Sequence, residues 1–324
     1  MPEAGSAMAS VRSSVTYSLR GDPGRVLRAI ATNQLARFAP GIYVRLTGQT
    51  GRGAAAEEAP DDIARYFRDC VDAYFERLGV ARADVPAYLD QKVIMEYGPG
   101  DLPGVAALMV AKGARKVYCV DRFALLSLSP KNARVVADLI SGCSEAERAR
   151  LRACLRNPDD PAAGFKPDRI EYLVQRSGLS GLSAAVDLVI SRAVLEHVND
   201  LEATFADMVD AMRPGAVAIH QVDLRSHGLH KVHRLDFLAW SDALWRSMYS
   251  HKGVPNRWRI DVYRRIIADL PVDVLHCSPT ALVAPQEVSV VRPLLAEPFK
   301  TVSDDDLRWL GFWLVLRKRG PGRA

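Results

Sequence analysis

No stretch of this sequence approaches the roughly 18 consecutive apolar residues that cross a bilayer, so no membrane span is expected. The amino terminus lacks the charged-then-apolar pattern of a secretory signal, which makes the cytoplasm the expected location. Cysteine is sparse. The five present (Cys70, Cys119, Cys143, Cys154, Cys277) show no paired spacing, so neither a disulfide framework nor a zinc site is indicated, and most read as small buried hydrophobes. A dominant charge is lacking too: 43 basic against 38 acidic residues give a net charge of +5. A nucleic-acid binder concentrates such charge on one face or in a run. Here the basic residues are mostly interleaved with acids, and the one cluster, Arg317-Lys318-Arg319 with Arg323, lies at the tail, so nucleic acid is not an expected partner.

What is present is enough chain for one large α/β enzyme domain with additions, since 324 residues at 48% hydrophobic content support a substantial core. The most telling stretch is Val93-Ile94-Met95-Glu96-Tyr97-Gly98-Pro99-Gly100-Asp101. Val93 to Met95 read as a buried parallel strand, and the turn at Gly98 and Gly100 lets backbone approach a ligand where a Cβ would clash. Ala106 to Ala111 continue as a helix whose free N–H groups face that ligand. Asp121 closes a second apolar strand about 20 residues after the glycines, the distance at which βαβ folds set a carboxylate on ribose hydroxyls. The third glycine of a dinucleotide fingerprint is replaced by Pro103, and the charge of Glu96 repels a diphosphate but suits a cationic ligand.

With these features the chain resembles the class I S-adenosylmethionine-dependent methyltransferases. The matching residues are Glu96-Tyr97-Gly98-Pro99-Gly100, then Asp121, then Val186-Asp187-Leu188-Val189-Ile190-Ser191 followed by Val194-Leu195-Glu196-His197-Val198, and Arg213-Pro214-Gly215 ahead of a fifth strand. The resemblance covers roughly residues 61–318. It implies a Rossmann-like, seven-stranded, mostly parallel sheet with an antiparallel last strand, an N-terminal helical cap and helical insertions. No Asn-Pro-Pro-Tyr-like sequence follows the fourth strand, and the segment Ser-Arg-Ala-Val-Leu-Glu-His is instead similar to enzymes that methylate small molecules, quinone precursors and sugars.

Strands are expected at 93–96, 117–121, 170–174, 186–191, 216–222, 272–277 and 310–316. Residues 1–60 read as a flexible N-terminus and helical cap, with a helix over 24–38 and a loop over 48–60. Residues 61–318 form the catalytic domain, starting with a helix over 63–78, and 319–324 a basic tail. Residues 123–168, helical at 130–140 and 145–155, make an insertion longer than a plain βαβ connection needs, expected to cover the active site. A second lid is expected at 227–258, carrying Phe237, Trp240, Trp245 and Tyr249. Tyr17, Phe38, Tyr43 and Tyr66 are candidates to line an acceptor pocket, with core packing the favoured alternative for each.

Ligands of an open parallel sheet bind beyond the carboxyl ends of its strands, which nominates the site residues. The resemblance implies S-adenosyl-L-methionine as cofactor, held by Glu96, Tyr97, Gly98, Pro99 and Gly100 at its methionine end and by Asp121 at its ribose. Arg122 is expected beside the adenine, with Gln175 and Arg176 nearby, Ser191 and Arg192 toward the sulfonium, and Glu196 among the cofactor-binding residues. A base is needed if the acceptor is a hydroxyl or protonated amine. His220, oriented by Asp223, is the first candidate, followed by His227 and His197. In some similar methyltransferases a Glu-x-x-Glu-His arrangement supplies metal ligands on one helical turn. Here Ala193 occupies the first of those positions, so no metal is expected. The expected activity is methyl transfer to an oxygen or nitrogen of a small metabolite or sugar. The alternatives are an RNA or protein methyltransferase, or a non-catalytic cofactor-binding module; a homo-oligomer is compatible with all of these.

Overall fold

The computed structural model describes residues 21–47 and 58–320. Tyr17, Arg323 and most of the expected 48–60 loop lie outside the described residues. The apolar runs pair into a seven-stranded sheet in the order β3-β2-β1-β4-β5-β7-β6. The strands are β1 (Val93–Tyr97), β2 (Lys116–Asp121), β3 (Ile170–Val174), β4 (Val186–Arg192), β5 (Met212–Asp223), β6 (Val272–Leu282) and β7 (Trp309–Lys318). β1 to β5 pair in parallel, while β7 runs antiparallel to both β5 and β6. A parallel strand covered on both faces must be apolar throughout, and β1 is buried along its whole length. The chain order reverses between β1 and β4, so their carboxyl ends flank the crevice where an open sheet of this kind binds ligands.

Three apolar clusters position that crevice. On one face, α3 (Pro60–Leu78), α4 (Gly104–Ala111), α5 (Pro130–Ser141) and α6 (Glu145–Cys154) pack on the sheet through Phe67, Val105, Leu139 and Leu151. On the other, α7 (Leu201–Ala211) and α9 (Ile260–Ala268) cover it through Phe205, Met208, Tyr263 and Ile266. The third cluster joins Val26 and Ala29 of α1 (Pro23–Phe38) to Phe237, Trp240, Trp245 and Tyr249, the last two on α8 (Asp242–Tyr249). N-terminal cap and 227–258 lid are therefore one packed unit. Among the described residues no helix is long and apolar enough to cross a membrane.

Two expectations change. The insertion mostly packs on the sheet face, where α5 and α6 bury Val135, Val136, Leu139 and Leu151 against α3 and α4; only its start reaches the turn after β1, the Ser127 amide donating to the Asp101 carbonyl at 2.9 Å and Asn132 Nδ2 to Asp101 Oδ2 at 3.1 Å. Phe38 is 72% exposed and lines no pocket, whereas Tyr43, on the unanticipated helix α2 (Pro40–Thr47), is buried with its hydroxyl donating to the Lys252 carbonyl at 3.3 Å.

Candidate active site

The turn after β1 adopts the left-handed conformation twice, at Gly98 (φ 65°) and Gly100 (φ 72°), which an L side chain resists. Gly98 has a packing reason as well: a Cβ there would overlap Val194 Cγ2, from the loop that leaves β4. Pro99 between them is buried. Strand alternation sends Glu96 to the α3–α4 face, where burial pushes its carboxyl up to about 8 against the opposing pull of the Ala106 amide. One strand over, Asp121 accepts from the Phe123 amide at 3.0 Å. Burial raises its carboxyl, opposed by the amides of Phe123, Arg122 and Gly100, so Asp121 stands beside the glycine turn.

Arg192, at the end of β4, faces the same side. Its guanidinium carbon lies 5.8 Å from the Tyr66 ring centroid and 5.9 Å from that of Trp313. Its Nη1 is buried with no hydrogen-bond partner among the described residues. Arg192 and Glu96 act electrostatically, with opposite sign, on the same two groups, Cys70 and Tyr74, and so converge on one spot. A guanidinium with a buried, unpaired Nη1 and a buried carboxyl beside a backbone turn form a donor and acceptor set for a zwitterionic amino acid group.

Three expected site residues, Tyr97, Ser191 and His220, lie elsewhere. Tyr97 points to the opposite face, where its hydroxyl donates to Asp207, whose carboxylate also accepts from the Ser180 and Gly181 amides at 2.8 and 2.9 Å. Ser191 shares that face, its Oγ lying 2.7 Å from His220 Nδ1. His220 itself is fully buried, with Nε2 at 3.2 Å from Met208 Sδ and the ring held down to about 3 by desolvation. Closed in beneath α7, it reaches no acceptor, and the expected base is a core histidine. Arg122 stacks on Phe123 and donates to Asn199 Oδ1 at 2.8 Å, tying the end of β2 to the loop after β4. Gln175 and Arg176 are exposed in the loop after β3, the Gln175 amide donating to the Asp121 carbonyl at 3.0 Å.

The remaining candidates converge. His197 and His227 rings lie 5.1 Å apart, and His227 Nε2 lies 3.5 Å from Asp223 Oδ2. Burial, with the charges of His227 and Arg122, lowers His197 to about 4, while hydrogen bonding to His227 holds Asp223 below the usual carboxylate range despite burial. Glu196 is fully enclosed, its carboxyl raised by burial. Asn256 was not singled out for this site, yet its amide donates to the Glu196 carbonyl at 2.5 Å and its Nδ2 to the Leu195 carbonyl at 3.0 Å, fastening the lid to the turn after β4. A cavity of about 440 Å³ opens between the lid, the turn after β4 and the segment 298–302, lined by His197, Asn199, Trp245, Tyr249, Arg257 and Phe299 among others.

A family model described as a methyltransferase domain matches residues 63–264. No curated protein matches the chain. Among solved structures, it is similar to an S-adenosylmethionine-dependent methyltransferase from Mesorhizobium loti (18% identity, TM-score 0.38, covering 74% of this chain and 99% of that one). It is also similar to a Methanosarcina mazei protein described as an S-adenosylmethionine-dependent methyltransferase (12%, TM-score 0.41, 71% and 93%). A third is Haemonchus contortus phosphoethanolamine N-methyltransferase 2 in complex with S-adenosyl-L-methionine (14%, TM-score 0.41, 78% and 53%).

Proposed function

We propose, from the premise that this chain belongs to the class I S-adenosylmethionine-dependent methyltransferases, that it methylates an oxygen or nitrogen of a small metabolite or sugar. The observation that carries the substrate class is the cavity between the lid and the turn after β4. Its aromatic walls, Trp245, Tyr249, Trp258 and Phe299, suit a small acceptor, whereas a polymer needs an open charged groove. At one end the cavity reaches His197 and Asn199, and Asn199 is bonded to Arg122, the neighbour of Asp121.

The residues present fit the cofactor. Glu96 would take its ammonium, Arg192 Nη1 its carboxylate and Asp121 its ribose hydroxyls, while the turn at Gly98 and Gly100 leaves room for close backbone approach. When bound, S-adenosylmethionine supplies a methyl group on a positively charged sulfur, ready for in-line displacement. The protein's part is positioning and exclusion of water: the lid, fastened through Asn256, closes the acceptor side. Proton removal from the acceptor falls to the cluster of His197, His227 and Asp223.

The test is release of S-adenosylhomocysteine over a panel of hydroxylated and amine-bearing small molecules, with RNA and protein acceptors alongside. Trp245→Ala and Tyr249→Ala should raise the acceptor KM at unchanged S-adenosylmethionine affinity. Methylation of RNA or protein with none of the small acceptors would overturn the substrate class.

A further inference from the structure

Glu196, His197 and His227 each bring a potential ligand atom to within 4.8 Å of the other two. Glu196 is fully buried, and among the described residues neither carboxylate oxygen has a donor within hydrogen-bond distance, the amides of Glu196 and Asp223 being the polar groups nearest to act on it; His197 Nδ1 likewise lacks a close partner, with the Gly253 backbone acting on its ring. Glu196 Oε1 lies 3.9 Å from His197 Nε2. A fully enclosed carboxyl without a close donor is costly, and a native fold that retains one has a use for it. The geometry points to a site for one divalent first-row transition cation, held by Glu196, His197 and His227, with Asp223 fixing the orientation of the His227 ring.

The donor set selects the ion. Two imidazoles and one carboxylate suit zinc, cobalt, manganese or iron, whereas magnesium and calcium favour oxygen-only shells. A carboxylate beside a ligating histidine is the usual outer-shell partner, and Asp223 Oδ2 stands 3.5 Å from His227 Nε2. Ligand atoms around such an ion sit about 2.1 Å from it, hence within about 4.2 Å of one another, so the cluster must tighten slightly. His227 is the member that moves, being on an exposed loop and followed by Gly228 at φ 80°. The site is not the one-turn arrangement that Ala193 interrupts, because its third ligand comes from the lid.

Three protein ligands leave coordination positions open, and His197 lines the acceptor cavity. A cation there would bind an acceptor oxygen and favour its loss of a proton to water, replacing a general base. This last role rests on the methyltransferase reading; cation binding does not.

Untagged full-length protein, stripped with chelator, is titrated with Co²⁺ by visible absorption and by calorimetry, with Zn²⁺ as competitor. The expected result is one equivalent per chain with ligand-field bands displaced by Zn²⁺, and at least a tenfold loss of affinity in Glu196→Gln and His227→Asn. His276→Gln, on β6, should bind as the parent does. His227→Asn, on an exposed loop, keeps the test decisive if Glu196→Gln fails to fold. No saturable Co²⁺ binding, or parental affinity in His227→Asn, overturns the site. Titrating the same stripped protein with S-adenosylmethionine separates the two failures: cofactor binding without cation binding sinks only the metal site, and the reverse sinks only the cofactor reading.

Discussion

Glu96 carries a proton at neutral pH, since burial holds its carboxyl near 8 in the free protein, and this couples cofactor binding to pH. Pairing with an ammonium favours the ionised form, so the complex binds fewer protons than the free protein. Affinity for S-adenosylmethionine should therefore rise between pH 6 and about 7.5, below the range where an α-amino group of ordinary pKa itself deprotonates. Calorimetry at pH 7 in phosphate and in Tris should reveal release of most of one proton; equal apparent enthalpies after buffer correction for zero protons would contradict it. Asp121→Ala should weaken cofactor binding by about 1.5–3 kcal/mol through loss of charge-assisted hydrogen bonds, read by the same titration. His220 makes the opposite case. With its ring enclosed between Ser191 and Met208, His220→Ala should cost about 2–4 kcal/mol in urea unfolding while the folded fraction keeps its cofactor affinity.

Among the elements, the turn between β1 and α4 is the most constrained. Gly98→Ala places a β-carbon against Val194 and an L residue at φ 65°, a conformation worth about 1–2 kcal/mol of strain by itself. Adding Val194→Ala should recover the steric part and leave the strain, a non-additive pair that denaturation can resolve. This turn was readable in the sequence because a glycine pair between an apolar run and a helix has few structural solutions. β1 to β4 were readable as short, mostly apolar runs, broken only by single polar residues such as Glu96, Glu171 and Asp187. β6 extends to Leu282, well past the expected Cys277, because an edge strand with mostly half-buried and exposed residues carries no apolar signal. The orientation of His220 was hidden as well: sequence gives the alternation along β5 but not which face meets α7. The meeting of His197 with His227 depends on how the lid folds back, and no local pattern encodes it.

For the whole molecule, the N-terminal helices and the lid are joined along a polar seam. Asn33, on α1 and fully buried, donates to the carbonyls of Arg246 and Ser247 at 3.3 and 2.9 Å and accepts from the His251 amide at 2.8 Å. Lys252 Nζ donates to the Ala29 carbonyl at 2.9 Å across the same seam. Asn33→Ala leaves those lid groups unpaired, so amides of Trp245 to Lys252 should exchange hydrogen faster while those of β1 and β4 keep their protection. The cofactor crevice, by contrast, belongs to the sheet and should survive loosening of the lid. Its occupant is the central claim, and isothermal titration of the purified protein with S-adenosylmethionine, S-adenosylhomocysteine and NAD tests it most directly. Saturable binding of the first two at one site per chain, weakened in Asp121→Ala, with no heat from NAD, is the predicted result; binding of NAD, or an Asp121→Ala variant that binds S-adenosylmethionine as tightly as its parent, would contradict it.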